Sequence, residues 1–484
     1  MVRMRICQGS ETPPLYECGI PATLLDPRGR LPPPTGARIA PCRRALLSSA
    51  MELRRIVTVG VGVLLVVGCS KAGGTAHRPA PHPTPVDAQF VLDGQPVKGQ
   101  AVVTPRTHLG LTLAQPMRPD WLTVFVDGQP LPPAALSWAP QRTSLDISLA
   151  GLTPDRTVTL DVAAAVARFH DPGPLQVRML VTVPSNTSTG VGPGFKPKTP
   201  IEIVVENSGP ARPQAGLQDA DVVYEYISEY SITRMTAIYF NRIPDLVGPV
   251  RSCRMINPYL GFAYAGMTMC SGVSNGTSPW MFGAFPESRL VPNVMEAYDH
   301  GGHYFRVGSR PAPHNEYTSG DRAGRLRSES AQPDGNYAVD PPHDDVSAGQ
   351  PAEPPSAPLH GVAYRYDPPS RLYFRSDHGQ PFTDQNTGQQ LGVKTVAIVY
   401  VPFHDAGWIE DDNGGAHSVW YDMLGSGPAE VYSDGQVVHA TWHMGSAGQA
   451  YHDNHTPVWF TDEAGKVMVL NSGLTWIHVA GNGQ

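Results

Sequence analysis

Between Ala88 and Val183 apolar and polar residues alternate in short runs, and no 3.6-residue period interrupts them. The runs are Gln89 to Leu92, Leu109 to Leu113, Leu122 to Val126, Leu145 to Leu149, Val158 to Val162 and Val177 to Val183. A period of two puts every second side chain on one face, so each run is a strand with one face to bury. Asp93-Gly94 and Asp127-Gly128 stand between runs, where a two-residue hairpin needs positive φ. Strands at regular spacing over such a length imply an all-β, Ig-like β-sandwich across 88–184.

The remainder reads as further domains, so the chain is multidomain. After a Gly, Pro and Lys-rich connector, residues 200–327 carry expected strands at Ile201 to Glu206, Val222 to Ser228 and Met235 to Phe240, and a helix over Asn257 to Gly266. Mixed strands and helices imply an α/β (α+β) layer fold. Residues 328–358 are dense in Pro, Asp, Glu and Ser and poor in aliphatics, so we expect a disordered linker or a long surface loop. From 359 to 484 the chain is β-rich, with expected strands at Val393 to Val401, Ser418 to Asp422, Ala429 to Ser433, Gln436 to Ala440, Val458 to Thr461, Val467 to Asn471 and Thr475 to Val479. Asp434-Gly435 marks a two-residue turn, and Gly465 opens another hairpin.

Upstream of these domains, Arg54 and Arg55 precede an apolar run from Ile56 to Val67 that ends in Gly68 and Cys69. About a dozen apolar residues are too few to cross a ~30 Å hydrocarbon core, and a basic flank with a small-residue cleavage site marks a secretory signal. With a cysteine right after the small Gly68, the pattern resembles a bacterial lipoprotein signal, in which Cys69 is acylated and becomes the mature N-terminus. We therefore expect a signal over 51–68 and a lipid-anchored protein in the cell membrane, facing outside the cytoplasm. A Pro-rich spacer follows over 69–87. Residues 1–50, rich in Arg and Pro, fit no such plan, and Met51 sits where a signal should begin. They read as an upstream extension.

Removing the extension and the signal takes away nine Arg and four acids, which moves the formal charge from −7 to −12. An acidic surface repels phosphate backbones, so no nucleic-acid partner is expected. Of six cysteines, Cys7, Cys18 and Cys42 lie in the extension and Cys69 is the lipid site, leaving Cys253 and Cys270. In an oxidising compartment these two either pair or remain buried thiols, and spacing does not choose between them.

From Ile201 onward a set of residues carries a family resemblance. It includes Glu206 and Asn207; Ala211, Arg212, Pro213 and Gln214; Gly216, Leu217, Asp219, Ala220, Asp221, Val223, Tyr224 and Glu225; and Glu229, Thr233 and Arg234. It continues through Gly248, Pro249, Val250, Arg251, Ser252 and Arg254, then Ala312, Pro313, His314, Asn315 and Tyr317. Near the C-terminus it takes in Gly425, Gly427, Asp434, Gly435, Thr441, Trp442, Asp462, Gly465, Leu470, Asn471, Gly473, Thr475, Trp476 and Ile477. This pattern resembles the YerB-like lipoproteins of Gram-positive and related bacteria. The resemblance implies a location and an N-terminal plus a C-terminal domain, and it implies no reaction. Ser208 and Gly209 depart from it where the family tends to have a His and another residue, and Glu316 stands in place of an aliphatic.

Within this frame the chemistry-bearing residues are Arg212 with Gln214, and Arg251, Ser252 and Arg254 after Gly248-Pro249. Arginine forks match carboxylate or phosphate oxygens, so a ligand site for an anion is one reading. The other is that these arginines pair with Asp219, Asp221, Glu225 and Glu229 and lock the domain. Arg234 fits either. His314, beside Asn315 in a Pro-led loop, reads as a general base, a ligand donor or a hydrogen-bonded structural side chain. Convergence of Asn207, Arg212, Glu225, Arg251, Arg254 and His314 on one cleft with few internal acid partners would favour a ligand site, and dispersion would count against it. His300 and His303, His439 and His443, and His452 and His455 form no recognised metal set, no cofactor is implied, and Trp442 and Trp476 read as core. No phosphate loop, nucleophile elbow or zinc-protease motif is present. Three functions follow: a noncatalytic lipoprotein that binds a cell-wall ligand or an envelope protein, a hydrolase or transferase using His314, Arg251 and Arg254 on a cell-wall substrate, or a purely structural assembly scaffold.

Overall fold

The computed structural model describes residues 86–481 except 105–106, 150–151, 153–155, 165–168, 171, 185–198, 230, 241, 274–301, 330–336, 341–343, 345, 347–348, 357–359, 412–414 and 452–453. Cys69, the signal and the spacer up to residue 85 lie outside the described residues, as do His300 and His452.

The first region is two sheets around one core. One sheet contains Val86–Leu92, Leu109–Leu113, Ser144–Ile147 and Leu136–Trp138; the other contains Gln100–Val103, Leu175–Met179, Thr157–Ala164 and Leu122–Val126. Leu175–Met179 is buried at every second residue, as period two requires. Phe90, Leu111, Val103, Val124, Leu160 and Val177 fill the space between the sheets. Asp93 and Asp127 take φ of 47° and 48° ahead of Gly94 and Gly128, so both expected hairpin tips form.

The second architecture is a ten-stranded mixed sheet. Its strands in chain order are β1 (Ile201–Glu206), β2 (Val222–Glu229), β3 (Ile232–Tyr239), β4 (Met267–Met269), β5 (Gln350–Pro351), β6 (Thr395–Val401), β7 (Gly425–Ser433), β8 (Gln436–Met444), β9 (Trp459–Asp462) and β10 (Thr475–Gly481). In space they run β4-β1-β3-β2-β10-β6-β7-β8-β5, with β9 on β8. The last strand is central: Trp476 faces Val223 on one side and Val396 on the other, both in parallel register. The regions expected as N-terminal and C-terminal domains thus share one sheet.

Both faces of that sheet are covered, which is why β1, β2, β6 and β10 read as apolar runs. On one face Val205, Val223, Ile398 and Trp476 pack under the hairpin Val362–Asp367/Leu372–Asp377 and helix α2 (Gly320–Glu329). On the other, Val222, Tyr224, Val399 and Ile477 pack under helix α1 (Ile256–Ala263) and Tyr421. Fully burying side chains of this size stabilises by about 1.5–3 kcal/mol each. Trp442 and Trp476 are core residues, at 1% and 0% exposure.

The described molecule is mostly β, with two α-helices among the described residues, so a separate α/β (α+β) domain is not confirmed. Strands β1 to β4 join the C-terminal strands in one sheet. The stretch expected to be a disordered linker contains Tyr337–Asp340, paired with Val181–Pro184, and β5 on the sheet edge. Val467 to Asn471 forms a single bridge, Val467 to Thr461, instead of a strand.

Cys253 and Cys270 form a disulfide, 17 residues apart, with both cysteines buried. It ties the start of α1 to the end of β4. Closing a loop of this length constrains the unfolded chain by about 3 kcal/mol. Replacing both cysteines by Ser should lower the urea unfolding free energy by about that amount, and an unchanged unfolding curve would remove this role.

Candidate functional site

Three loops meet at the C-terminal end of β1. The backbone N–H of Glu206 donates to Pro249 O at 2.9 Å, Ala215 pairs with Gly248, and Val250 N–H donates to Glu316 O at 2.7 Å. The X–Pro bonds at Pro213, Pro249 and Pro313, one in each loop, are cis. Arg310 fastens the set by donating to Ala211 O and, at 2.7 Å, to Pro213 O.

Behind the loops lies a buried network centred on Glu225, which is 2% exposed. Its carboxylate accepts from Asn207 Nδ2 at 3.1 Å, Thr233 Oγ1 at 2.8 Å, Trp476 Nε1 at 2.9 Å and Arg375 Nη2 at 3.0 and 3.1 Å. Burial by itself pushes this carboxyl up, but the Arg375 charge and these donors bring it below the ordinary glutamate value. Arg375 is fully buried, with Phe382 against its face at 3.8 Å and Trp476 at 5.1 Å. Parallel register puts His478 beside Glu225. Burial pushes the His478 imidazole down to about 4. Burial also pushes the Tyr364 phenol up, and Tyr364 Oη lies 2.8 Å from His478 Nε2.

Arg212 joins this network from outside. Its guanidinium donates to Asn207 Oδ1 at 3.2 Å and to Asn207 O at 3.1 Å, and pairs with Asp377 at 2.8 Å. Gln214 Nε2 donates to Glu206 O and to Asn207 Oδ1. Burial raises the Asp377 carboxyl, yet hydrogen bonds from Arg212 and His378 hold it below its usual range.

A second cluster surrounds Glu229. Arg254 donates to it from Nε at 3.0 Å and Nη2 at 2.6 Å, and Arg234 from Nη2 at 3.1 Å. Burial and the neighbouring Arg254 push Arg234 down to about 10. Arg254 also meets Glu410 at 2.9 Å, while Arg234 donates to Ser252 O at 2.9 Å. Ser252 itself donates to Ser271 O at 2.9 Å.

The third group is Glu206, Ser208, Arg251 and His314. Ser208 Oγ donates to Glu206 Oε1 at 2.7 Å, His314 Nδ1 lies 2.9 Å from the same oxygen, and Arg251 Nε stands 3.8 Å from it. Asn315 is set apart, accepting from Arg306 at 2.7 Å and donating to Val307 O. The structure thus distributes the sequence candidates over three neighbouring groups. Sequence reasoning missed Arg375, Asp377 and His478. The alternation Tyr373, Arg375, Asp377 on one strand face was the available signal. Among the described residues no three His, Cys, Asp or Glu side chains are grouped to hold a metal. Described cavities of about 490 and 580 Å³ lie in the sandwich and contain none of these candidates.

Two family models match the chain: Protein of unknown function (DUF3048) N-terminal domain over residues 187–332, and its C-terminal domain over residues 356–477. The chain belongs to this family. YerB of Bacillus subtilis (strain 168), whose name describes a candidate lipoprotein, is 28% identical over 291 residues, covering 58% of this chain and 81% of that protein. The crystal structure of YerB protein from Bacillus subtilis covers 59% of this chain and 91% of its own, with 25% identity and a TM-score of 0.47. Apart from His478, one residue beyond the C-terminal match, the three groups described above fall within the DUF3048 matches.

Arg375→Met should cost about 3–5 kcal/mol, because it leaves Glu225 a buried charge without its partner; urea unfolding checks this, and a near-neutral result would remove the network's structural role. His478 carries a pH dependence of known sign. Its folded pKa, about 4, lies below the unfolded 6.5, so the unfolded chain takes up the proton first and stability falls as pH drops through that window. At ~1.4 kcal/mol per unit the loss is roughly 3 kcal/mol, and His478→Gln should flatten unfolding free energy between pH 6.5 and 4.

Proposed function

We propose that this protein is a lipoprotein anchored to the cell membrane through Cys69, facing outside the cytoplasm, that binds or scaffolds at the cell envelope. The 88–184 sandwich is read as an Ig-like spacer, and the three-loop end of the ten-stranded sheet as its ligand face. The partner class is a cell-wall or envelope ligand, and the acidic mature chain disfavours nucleic acid.

One observation carries the noncatalytic reading. In a serine–histidine relay the hydroxyl donates to the imidazole, whereas here Ser208 Oγ donates to Glu206 Oε1 and His314 Nδ1 contacts the same oxygen. Ser252, the other hydroxyl in the candidate set, donates to a backbone carbonyl. Arg212, Arg234 and Arg254 are held by internal carboxylates, so they fix the loops instead of facing a transition state. The YerB relative's name supports the anchor, as does the Gly68-Cys69 junction.

Mass spectrometry of the membrane fraction should find a mature N-terminus at acylated Cys69. Cys69→Ala should leave the protein unprocessed and unacylated. A native protein free in the cytosol with its leader intact would overturn the anchor.

A further inference from the structure

Among the arginines of the three groups, Arg251 is the one whose ion pair is loose. Arg251 approaches Glu206 only to 3.8 Å, beyond hydrogen-bond range, and neither Nη has a hydrogen-bond partner among the described residues. Its side chain is 31% exposed. Opposite it, Glu206 Oε1 is occupied by Ser208 and His314, while Oε2 is buried and has no hydrogen-bond partner. A buried acceptor without a donor is costly and needs a reason. His314, at 20% exposure, uses Nδ1 on Glu206 and leaves Nε2 without a partner among the described residues. In the neutral tautomer that donates from Nδ1, Nε2 is an acceptor.

These groups are fixed by backbone. Arg251 N–H donates to Val204 O at 2.9 Å, Glu206 N–H to Pro249 O, and Val250 N–H to Glu316 O, which brings the His314 loop alongside. The local charge is balanced: Arg234, Arg251 and Arg254 stand against Glu206, Glu229 and Glu410. A simple anion would satisfy Arg251 and leave Glu206 Oε2 facing like charge. A simple cation would do the reverse. A ligand with both charges close together satisfies both and leaves the balance intact.

We infer that Glu206, His314 and Arg251 form a subsite for a zwitterionic α-amino-acid group, its ammonium donating to Glu206 Oε2 and His314 Nε2 and its carboxylate accepting from the Arg251 Nη groups. This deepens the binding reading above and rests on it. The adjacency of Arg251 and Glu206 selects charges that share one carbon, and excludes ligands whose charges are separated by a long chain.

The test is calorimetric titration of the full-length, detergent-solubilised protein with D- and L-alanine, N-acetylalanine and alaninamide. At least one alanine enantiomer should bind, and the two derivatives, each lacking one charge, should bind roughly tenfold more weakly, as loss of a charge-assisted hydrogen bond implies. Arg251→Gln and Glu206→Gln should each weaken alanine by a similar factor. Arg251 is partly exposed, so Arg251→Gln should keep the wild-type unfolding midpoint and carries the test if Glu206→Gln does not fold. No alanine binding by wild-type protein, equal binding of N-acetylalanine, or unchanged binding by Arg251→Gln would overturn the inference. Acylation at Cys69 without alanine binding removes this subsite alone; alanine binding without acylation removes the anchor alone.

Discussion

A carboxylate in the middle of a covered β-sheet is the constraint from which the rest of this head follows. Glu225 is almost fully buried, and an isolated charge there would cost far more than a single contact returns. It is tolerated because four kinds of donor reach it from four parts of the chain: the loop after β1, strand β3, strand β10 and the hairpin at Arg375. Each donor is therefore obliged to be where it is, and the segment that carries it is placed as a consequence. A hydrophobic residue at 225 would fill the sheet without specifying any of these segments.

The position of β10 converts that local demand into a global one. A strand seated between β2 and β6 provides hydrogen-bonding edges to both regions of the family match, so neither has a complete sheet without it. Trp476 and His478 bring two polar groups to Glu225 from the same strand, on the residue spacing that parallel pairing dictates. Packing, hydrogen bonding and electrostatics agree at this strand, as expected where a sequence specifies one arrangement.

Local features were legible in the sequence and long-range ones were not, for physical reasons. The Asp93-Gly94, Asp127-Gly128 and Asp434-Gly435 turns announce themselves because only a few residues adopt positive φ cheaply, and all three form. Strands β1, β2, β6 and β10 were visible as apolar runs. Their order was not, since pairing β2 with a strand some 250 residues later has no local signature. The hairpin Val362–Asp367/Leu372–Asp377 escaped because its strand from Leu372 buries Tyr373, Arg375 and Asp377, inverting the usual polar-out pattern. The arginines at 212, 234 and 254 were recognised as important, but whether they face inward depends on carboxylates that only the fold brings close.

Restraint on both sides is what gives the Glu206 corner meaning. In a loosely built cluster, one unpaired oxygen and one uncommitted guanidinium would be unremarkable, because side chains could rearrange to meet. Here Asn207, Gln214 and Arg212 are held on one side of Glu206, and Arg234, Arg254 and the Cys253–Cys270 disulfide hold the segment around Arg251 on the other. The backbone bonds of Glu206 and Arg251 to neighbouring strands fix the separation between them. Ser208 adds a small donor to Oε1 and leaves Oε2 as it is. An ion pair held at 3.8 Å, wider than a hydrogen bond, on a frame with little freedom to close the gap, forms a corner suited to a small bipolar group.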